Sequence, residues 1–300
     1  MKIDKIAFPC SELFSPFWNI QSRVWKTKLG IHPVCFLYGD KRKCGMSEEY
    51  GEVVELKPDP TVPSVLQLQF SRFWYPHLEP ETTWLIGDID LIPLQKEYFL
   101  AGMESIPDDS YCHLNYSIIG REMGLNPKTY FEKGALKMGG YDLPGHYHCA
   151  KGKVLKQLFF ADYEDYSTFL KKEIIDSGKY KDIREGDPPH MREQRGDHWM
   201  AEEHYTSEKV WDYFRPKNFQ GMFVREYLAQ FQRLEAKYQH AYNPNYYPPV
   251  WDGVRFRHDA DRRCPNRLQD GMLVEIHCPL PYEPHEKALL QLLTEAKMYP

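Results

Sequence analysis

Apolar residues fall in short blocks at strand or helix spacing through the first third of the chain and lose that regularity afterwards. Lys2–Phe8 alternates as a first strand, and Pro9 is expected to end it. Ser11 or Ser15 can cap a helix whose apolar positions Phe17, Ile20, Val24 and Trp25 lead to Leu29, with Gly30 as the stop. His32–Tyr38 reads as a buried strand closed by Gly39 and Asp40, and Glu52–Leu56 as a short third strand. Pro58, Pro60 and Pro63 mark a turn. The positions of Val65, Leu68 and Phe73 predict a helix over Ser64–Trp74. A fourth apolar strand then runs through Trp84-Leu85-Ile86-Gly87 into Asp88-Ile89-Asp90, followed by Leu91-Ile92-Pro93-Leu94.

This strand and helix order implies an α/β fold with a mostly parallel central sheet flanked by helices. Ligands of such sheets sit beyond the carboxyl ends of the strands. The segments expected there are Pro9–Ser11, Tyr38–Asp40 and the aspartate pair. The second half is more irregular. Strands are expected at Tyr111–Ser117, His146–Ala150 and Leu273–His277, and helices at Asp162–Ile175, His198–Val210 and Pro284–Lys297. Gly139–Gly145 is a loop, Arg184–Asp197 a polar, proline-containing mobile loop, and Asn243–Arg267 is rich in Pro, Tyr and Arg. No internal repeat or linker interrupts the chain, so one domain over 1–300 is expected, with a ligand-binding half at about 1–110 and a second half at about 111–300.

Composition narrows the class. Hydrophobic residues make up 42% and charged residues 27%, as in an ordinary globular protein. Aromatics reach 15%, which serves either a well-filled core or a cleft that stacks sugars or bases. A net charge of −5 excludes the basic footprint of a nucleic-acid binder. The seven cysteines are scattered and form no C-x-x-C, which fits a reducing compartment better than a disulfide framework or a zinc site. No apolar run approaches the ~18 residues of a membrane span. MKIDKIAF lacks the apolar stretch of a secretory signal. A soluble, cytoplasmic protein is expected.

The aspartate pair carries the chemistry. In an extended chain Asp88 and Asp90 share a face while Ile89 points into the core. Two carboxylates at the exit of a buried strand make a hard, oxygen-only site, suited to Mn²⁺ or Mg²⁺ and through it to a pyrophosphate. The plainer alternative is two aspartates that cap a turn.

Val65-Leu66-Gln67-Leu68-Gln69-Phe70-Ser71-Arg72-Phe73, followed by Gly87-Asp88-Ile89-Asp90-Leu91-Ile92-Pro93-Leu94, resembles the nucleotide-sugar-dependent glycosyltransferases of the GT-A fold with their DxD motif. The resemblance implies a Rossmann-like single domain, and the expected lack of a membrane anchor points to a microbial or viral type. It also implies Mn²⁺ or Mg²⁺, a nucleotide-sugar donor (UDP first, GDP next) and a carbohydrate acceptor. Asp90 would ligate the metal, and Asp88 would ligate it or contact ribose or sugar. His277 would complete the metal shell, with a core histidine as its alternative and His258 as a second candidate. Arg72 and Gln69, three apart on one helix face, would reach the donor. Cys10, Ser11, Tyr38 and Asp40 would surround the nucleoside, Tyr38 by stacking. Alternation sends His146 and His148 together toward the sugar or acceptor. An inverting transferase needs a carboxylate base. Asp197, at a helix start, is the leading candidate and equally an N-cap; Glu202, one turn on, is the second. Loop 181–197 would act as a lid.

Three other classes compete. A haloacid-dehalogenase-type phosphatase also uses aspartates one residue apart, but on its first strand. A sugar-phosphate nucleotidyltransferase needs a Gly-rich N-terminal loop that this chain lacks. A non-catalytic nucleotide-sugar or carbohydrate-binding protein would keep the fold without turnover.

Overall fold

The structure, a computed structural model, describes residues 1–93, 96–114, 143, 145–180, 198, 201–224, 275–277, 286–295 and 297–299. Nine strands are described: β1 (Lys5–Ser11), β2 (His32–Tyr38), β3 (Glu52–Glu55), β4 (Thr83–Ile86), β5 (Leu91–Pro93), β6 (Tyr111–His113), β7 (His148–Lys151), β8 (Met222–Val224) and β9 (Glu275–His277). The helices are α1 (Trp18–Val24), α2 (Ser64–His77), α3 (Lys96–Leu100), α4 (Gly152–Phe159), α5 (Tyr166–Phe169), α6 (Ala201–Phe214) and α7 (Glu286–Glu295).

Seven strands form one sheet in the order β3-β2-β1-β4-β7-β6-β8, and β5 pairs separately with β9. The β1/β2, β1/β4, β2/β3 and β6/β8 pairs are parallel. β7 runs antiparallel to both neighbours. The α/β class and mostly parallel sheet therefore agree with expectation.

Both faces of the first strands are covered, which explains why they read as continuous apolar runs. Ile6, Phe8 and Cys10 of β1, with Cys35 and Leu37 of β2, pack against Trp18, Val24 and Trp25. Ala7, Val34, Phe36, Trp84 and Ile86 face the opposite way, onto Leu66, Phe70, Phe73 and Trp74 of α2 and Leu155 and Phe159 of α4. Among the described residues, no helix is long and apolar enough to cross a membrane.

Several boundaries shift. β1 begins later than expected and continues through Pro9 to Ser11. Ala7 O accepts from Gly87 N at 2.8 Å, so Ala7 faces β4. Pro9, two residues on, faces the same side, but the β1/β4 ladder ends at Ala7 opposite Ile86, so its missing N–H costs no ladder bond. The first helix starts as a 3₁₀ turn over Glu12–Phe17, continues as α1 and a π turn over Trp25–Leu29, and closes at Gly30 with φ 77°. α5 starts only at Tyr166, where the Asp165 side chain caps it by accepting from Thr168 N at 2.6 Å.

Candidate active site

The chain leaves β4 at a point where the sheet changes direction. β1 is followed by β2 and β3 on one side and by β4 on the other, so the crevice at the carboxyl ends of β1 and β4 is the topological switch point. Gly87 threads this exit. A Cβ there would lie 2.7 Å from Phe8 Cε1 and 2.9 Å from Ile6 Cδ1, closer than packed atoms allow. The strand stops at Ile86, so the aspartates sit in a turn rather than on extended chain, with Leu91 N donating to Asp88 O at 3.1 Å. The expected division of faces survives: Ile89 is buried, while Asp88 and Asp90 are partly exposed.

A buried cation backs this turn. Arg72 of α2 is almost wholly buried. Its Nη1 donates to Gly87 O at 3.3 Å and to Asp88 Oδ1, and its Nη2 to Glu202 Oε2. Glu202 lies in the first turn of α6 and is 1% exposed. His146 Nδ1 stands 3.3 Å from Asp88 Oδ2. Glu203 Oε1 accepts from Gly145 N at 3.2 Å. Burial works against the Arg72 charge, but Asp88 and Glu202 outweigh it and hold the guanidinium protonated. Burial pushes the Glu202 carboxyl up to about 8 against the pull of Arg72. Burial also raises Glu203, opposed by the Gly145 amide and His146.

Gly145 seals this group. A Cβ on it would fall 2.4 Å from Arg72 Nη2 and 2.5 and 2.7 Å from the Glu202 carboxylate oxygens. Gly145→Ala is therefore expected to push the ion pair apart and destabilise the fold by about 1–3 kcal/mol. Urea denaturation checks this; an unchanged midpoint would show that the backbone yields instead.

The expected site residues separate into groups. Arg72, Asp88 and His146 come together, with Glu202 behind them. Ser11 and Tyr38 end β1 and β2 as register partners beside the same crevice. Tyr38 is half-buried, packs with Tyr75 and Tyr166 against the core, and burial raises its phenol. Gln69 is half-buried one turn before Arg72.

Others are corrected. Glu202 is sealed in the interior with one carboxylate oxygen on Arg72, out of reach of an acceptor hydroxyl, so it holds Arg72 instead of serving as base. Cys10 is buried in the core, its thiol donating to Ser11 O at 3.2 Å, and does not face the crevice. Asp40 accepts from the Arg42 and Lys43 amides at 2.9 and 3.1 Å, which makes it the cap of its own loop. These bonds, the Lys43 amide foremost, hold its carboxyl below the ordinary value. His148 does not share a face with His146. Tyr147 between them has φ 64°, which breaks the alternation, and His148 is buried with Nδ1 2.6 Å from Tyr111 Oη and its ring against Phe73. Asp197, His258 and the 181–197 segment lie outside the described residues.

The donors fit a hard divalent cation at one aspartate more than at two. Among the described residues, no three His, Cys, Asp or Glu side chains are gathered to hold a metal. Asp88 is engaged by Arg72 and His146. Asp90 supplies a partly exposed carboxylate, and β5/β9 pairing sets the backbone of His277 opposite Leu91, the next residue. A carboxylate oxygen at that place suits Mn²⁺ or Mg²⁺.

Sequence reasoning missed Gln21, Gly145 and Glu203. Only Gln21 left a signal: a polar residue four from both Phe17 and Trp25 on a helix face that is otherwise core.

No protein-family model matches the chain, and no curated protein matches it. Two solved structures similar to it are of glycosyltransferase GlyE from Streptococcus pneumoniae TIGR4. One shares 10% identity over 100% of this chain and 65% of its own, with a TM-score of 0.42. The other, an apo form, shares 13% identity over 73% of this chain and 50% of its own, with a TM-score of 0.34. The chain thus spans between half and two thirds of the length of those structures.

Proposed function

We propose that this chain is a metal-dependent glycosyltransferase, one GT-A domain over 1–300, that moves a sugar from a nucleoside diphosphate (UDP first) to a carbohydrate hydroxyl. One observation supports the reading above others: the two-aspartate turn leaves the sheet at its switch point with a buried guanidinium fixed behind it. The arrangement serves a donor whose leaving group gains negative charge. Mn²⁺ or Mg²⁺, when bound, stabilises that charge as a Lewis acid. Asp90 and His277 would hold the ion. Glu202 fixes Arg72, and Arg72 in turn fixes Asp88, so the Asp88 carboxylate meets the donor sugar or ribose already oriented. His146 adds a donor or acceptor beside it. Ser11 and Tyr38 border the nucleoside side. Asp197 serves as the acceptor's base.

Asp88 held by a guanidinium is a poor nucleophile, which weighs against the phosphatase class. The test is a thermal-shift series of UDP- and GDP-sugars with and without Mn²⁺. A ligand at ~100 times its Kd adds about 2.7 kcal/mol. A Mn²⁺-dependent shift with one nucleotide sugar, followed by release of free nucleoside diphosphate, supports the proposal. A shift without release over hours favours a binding protein. No shift with any sugar nucleotide rejects both.

A further inference from the structure

Gln21 is fully buried on α1 among Phe17, Trp18, Val24 and Trp25. A buried primary amide is costly unless its hydrogen-bonding groups are met. Here they are met in one direction. Nε2 donates to Ile89 O at 2.9 Å and to Leu91 O at 2.7 Å, while Oε1 accepts from Trp25 Nε1 at 2.9 Å. An indole N–H only donates, so the amide oxygen must face Trp25 and both amide hydrogens must face the turn. The two carbonyls flank Asp90 in sequence. Its backbone is therefore tied to α1 on both sides, whereas Asp88 is tied by its side chain to Arg72. A core position with no further duty would be filled at less cost by Leu or Met.

The geometry points to Gln21 as the positioning residue for Asp90, with Trp25 as the group that orients the amide. The inference rests on the metal-dependent reading above. Gln21 holds the turn at the place where the Asp90 carboxylate meets the cation. Removing an outer partner of a metal ligand weakens metal affinity about 10–100-fold.

The experiment titrates Mn²⁺ into the full chain in the presence of UDP and follows the EPR signal of free aqueous Mn²⁺. Gln21→Met keeps length and removes the donors. Trp25→Phe keeps an aromatic ring against Phe99 and removes the orienting N–H together with part of the buried indole. Asp90→Asn is the reference for a lost ligand. The expected result is a Mn²⁺ Kd raised about tenfold in Gln21→Met and severalfold in Trp25→Phe, with both variants melting cooperatively. Wild-type affinity in both, alongside loss in Asp90→Asn, overturns the inference and leaves the metal reading standing. Should Gln21→Met not fold, Trp25→Phe decides by the same criterion. If the wild type itself leaves the Mn²⁺ signal unchanged, the metal reading fails and the positioning role fails with it; that outcome shows in the wild type, the former only in the variants.

Discussion

Arg72→Met is expected to destabilise the protein by about 3–5 kcal/mol, because it strands Glu202 in the interior without its cation. For a chain of this size that is a fall in Tm on the order of 10 °C. The double variant Arg72→Met/Glu202→Leu should recover most of the loss, since an apolar pair of similar volume is often as stable as a buried ion pair. Both comparisons are made by urea denaturation. A single-variant cost below about 1 kcal/mol would show that the guanidinium is not needed to neutralise Glu202.

The pH dependence of that variant follows from Glu202. Burial already raises its carboxyl to about 8 with Arg72 present, from an ordinary 4.5. Without Arg72 the folded value moves further up. The folded state then binds more protons than the unfolded state at pH values between the two, so stability falls as pH rises through that window. Wild type and variant share this fall up to about pH 8, so the Arg72→Met penalty is level below about pH 8 and grows above it, where the wild-type carboxyl ionises beside Arg72 and that of the variant stays protonated. In the double variant, which lacks the carboxyl, the fall in stability linked to Glu202 should disappear.

The second large effect is expected at Asp90. Asp90→Asn keeps shape but removes charge from a partly exposed side chain, so the melting temperature without ligand should stay near that of the wild type. The Mn²⁺-dependent stabilisation by a sugar nucleotide should vanish, and nucleotide release should fall by about 10²–10³-fold, the usual size of a lost transition-state charge contact. Asp88→Asn should differ. It loosens the Arg72 contact and weakens donor binding, while Mn²⁺ binding largely survives. Equal effects of the two changes on Mn²⁺ affinity, measured by EPR, would contradict the unequal roles assigned to them.

Much of the architecture was legible because local pattern and burial agree in the first ninety residues. β2 spans His32–Tyr38 as expected, since a strand covered on both faces shows as an unbroken apolar run. Gly30 ends its helix through a left-handed φ that glycine adopts without penalty. The aspartates stand at a strand exit because apolar burial ends where charge begins. What stayed hidden depends on distance along the chain or on one dihedral angle. The role of Glu202 requires knowing that α6 packs against α2, which no local spacing reveals. The separation of His146 from His148 turns on the left-handed φ of Tyr147, a conformation a tyrosine side chain disfavours and sequence does not announce. The antiparallel insertion of β7 between β4 and β6 likewise comes from long-range pairing.

Glu202 is 130 residues from Arg72, whereas Asp88 is only 16 away. During synthesis at about 5–20 residues per second, the guanidinium would wait about 7–26 s after its own emergence for its second counter-ion. Through that interval a nascent chain carries the helix and the turn but lacks the carboxylate that makes burial of the arginine tolerable. The buried ion pair is thus a property the polypeptide acquires late, and a truncated translation product ending before residue 202 would leave the arginine hydrated.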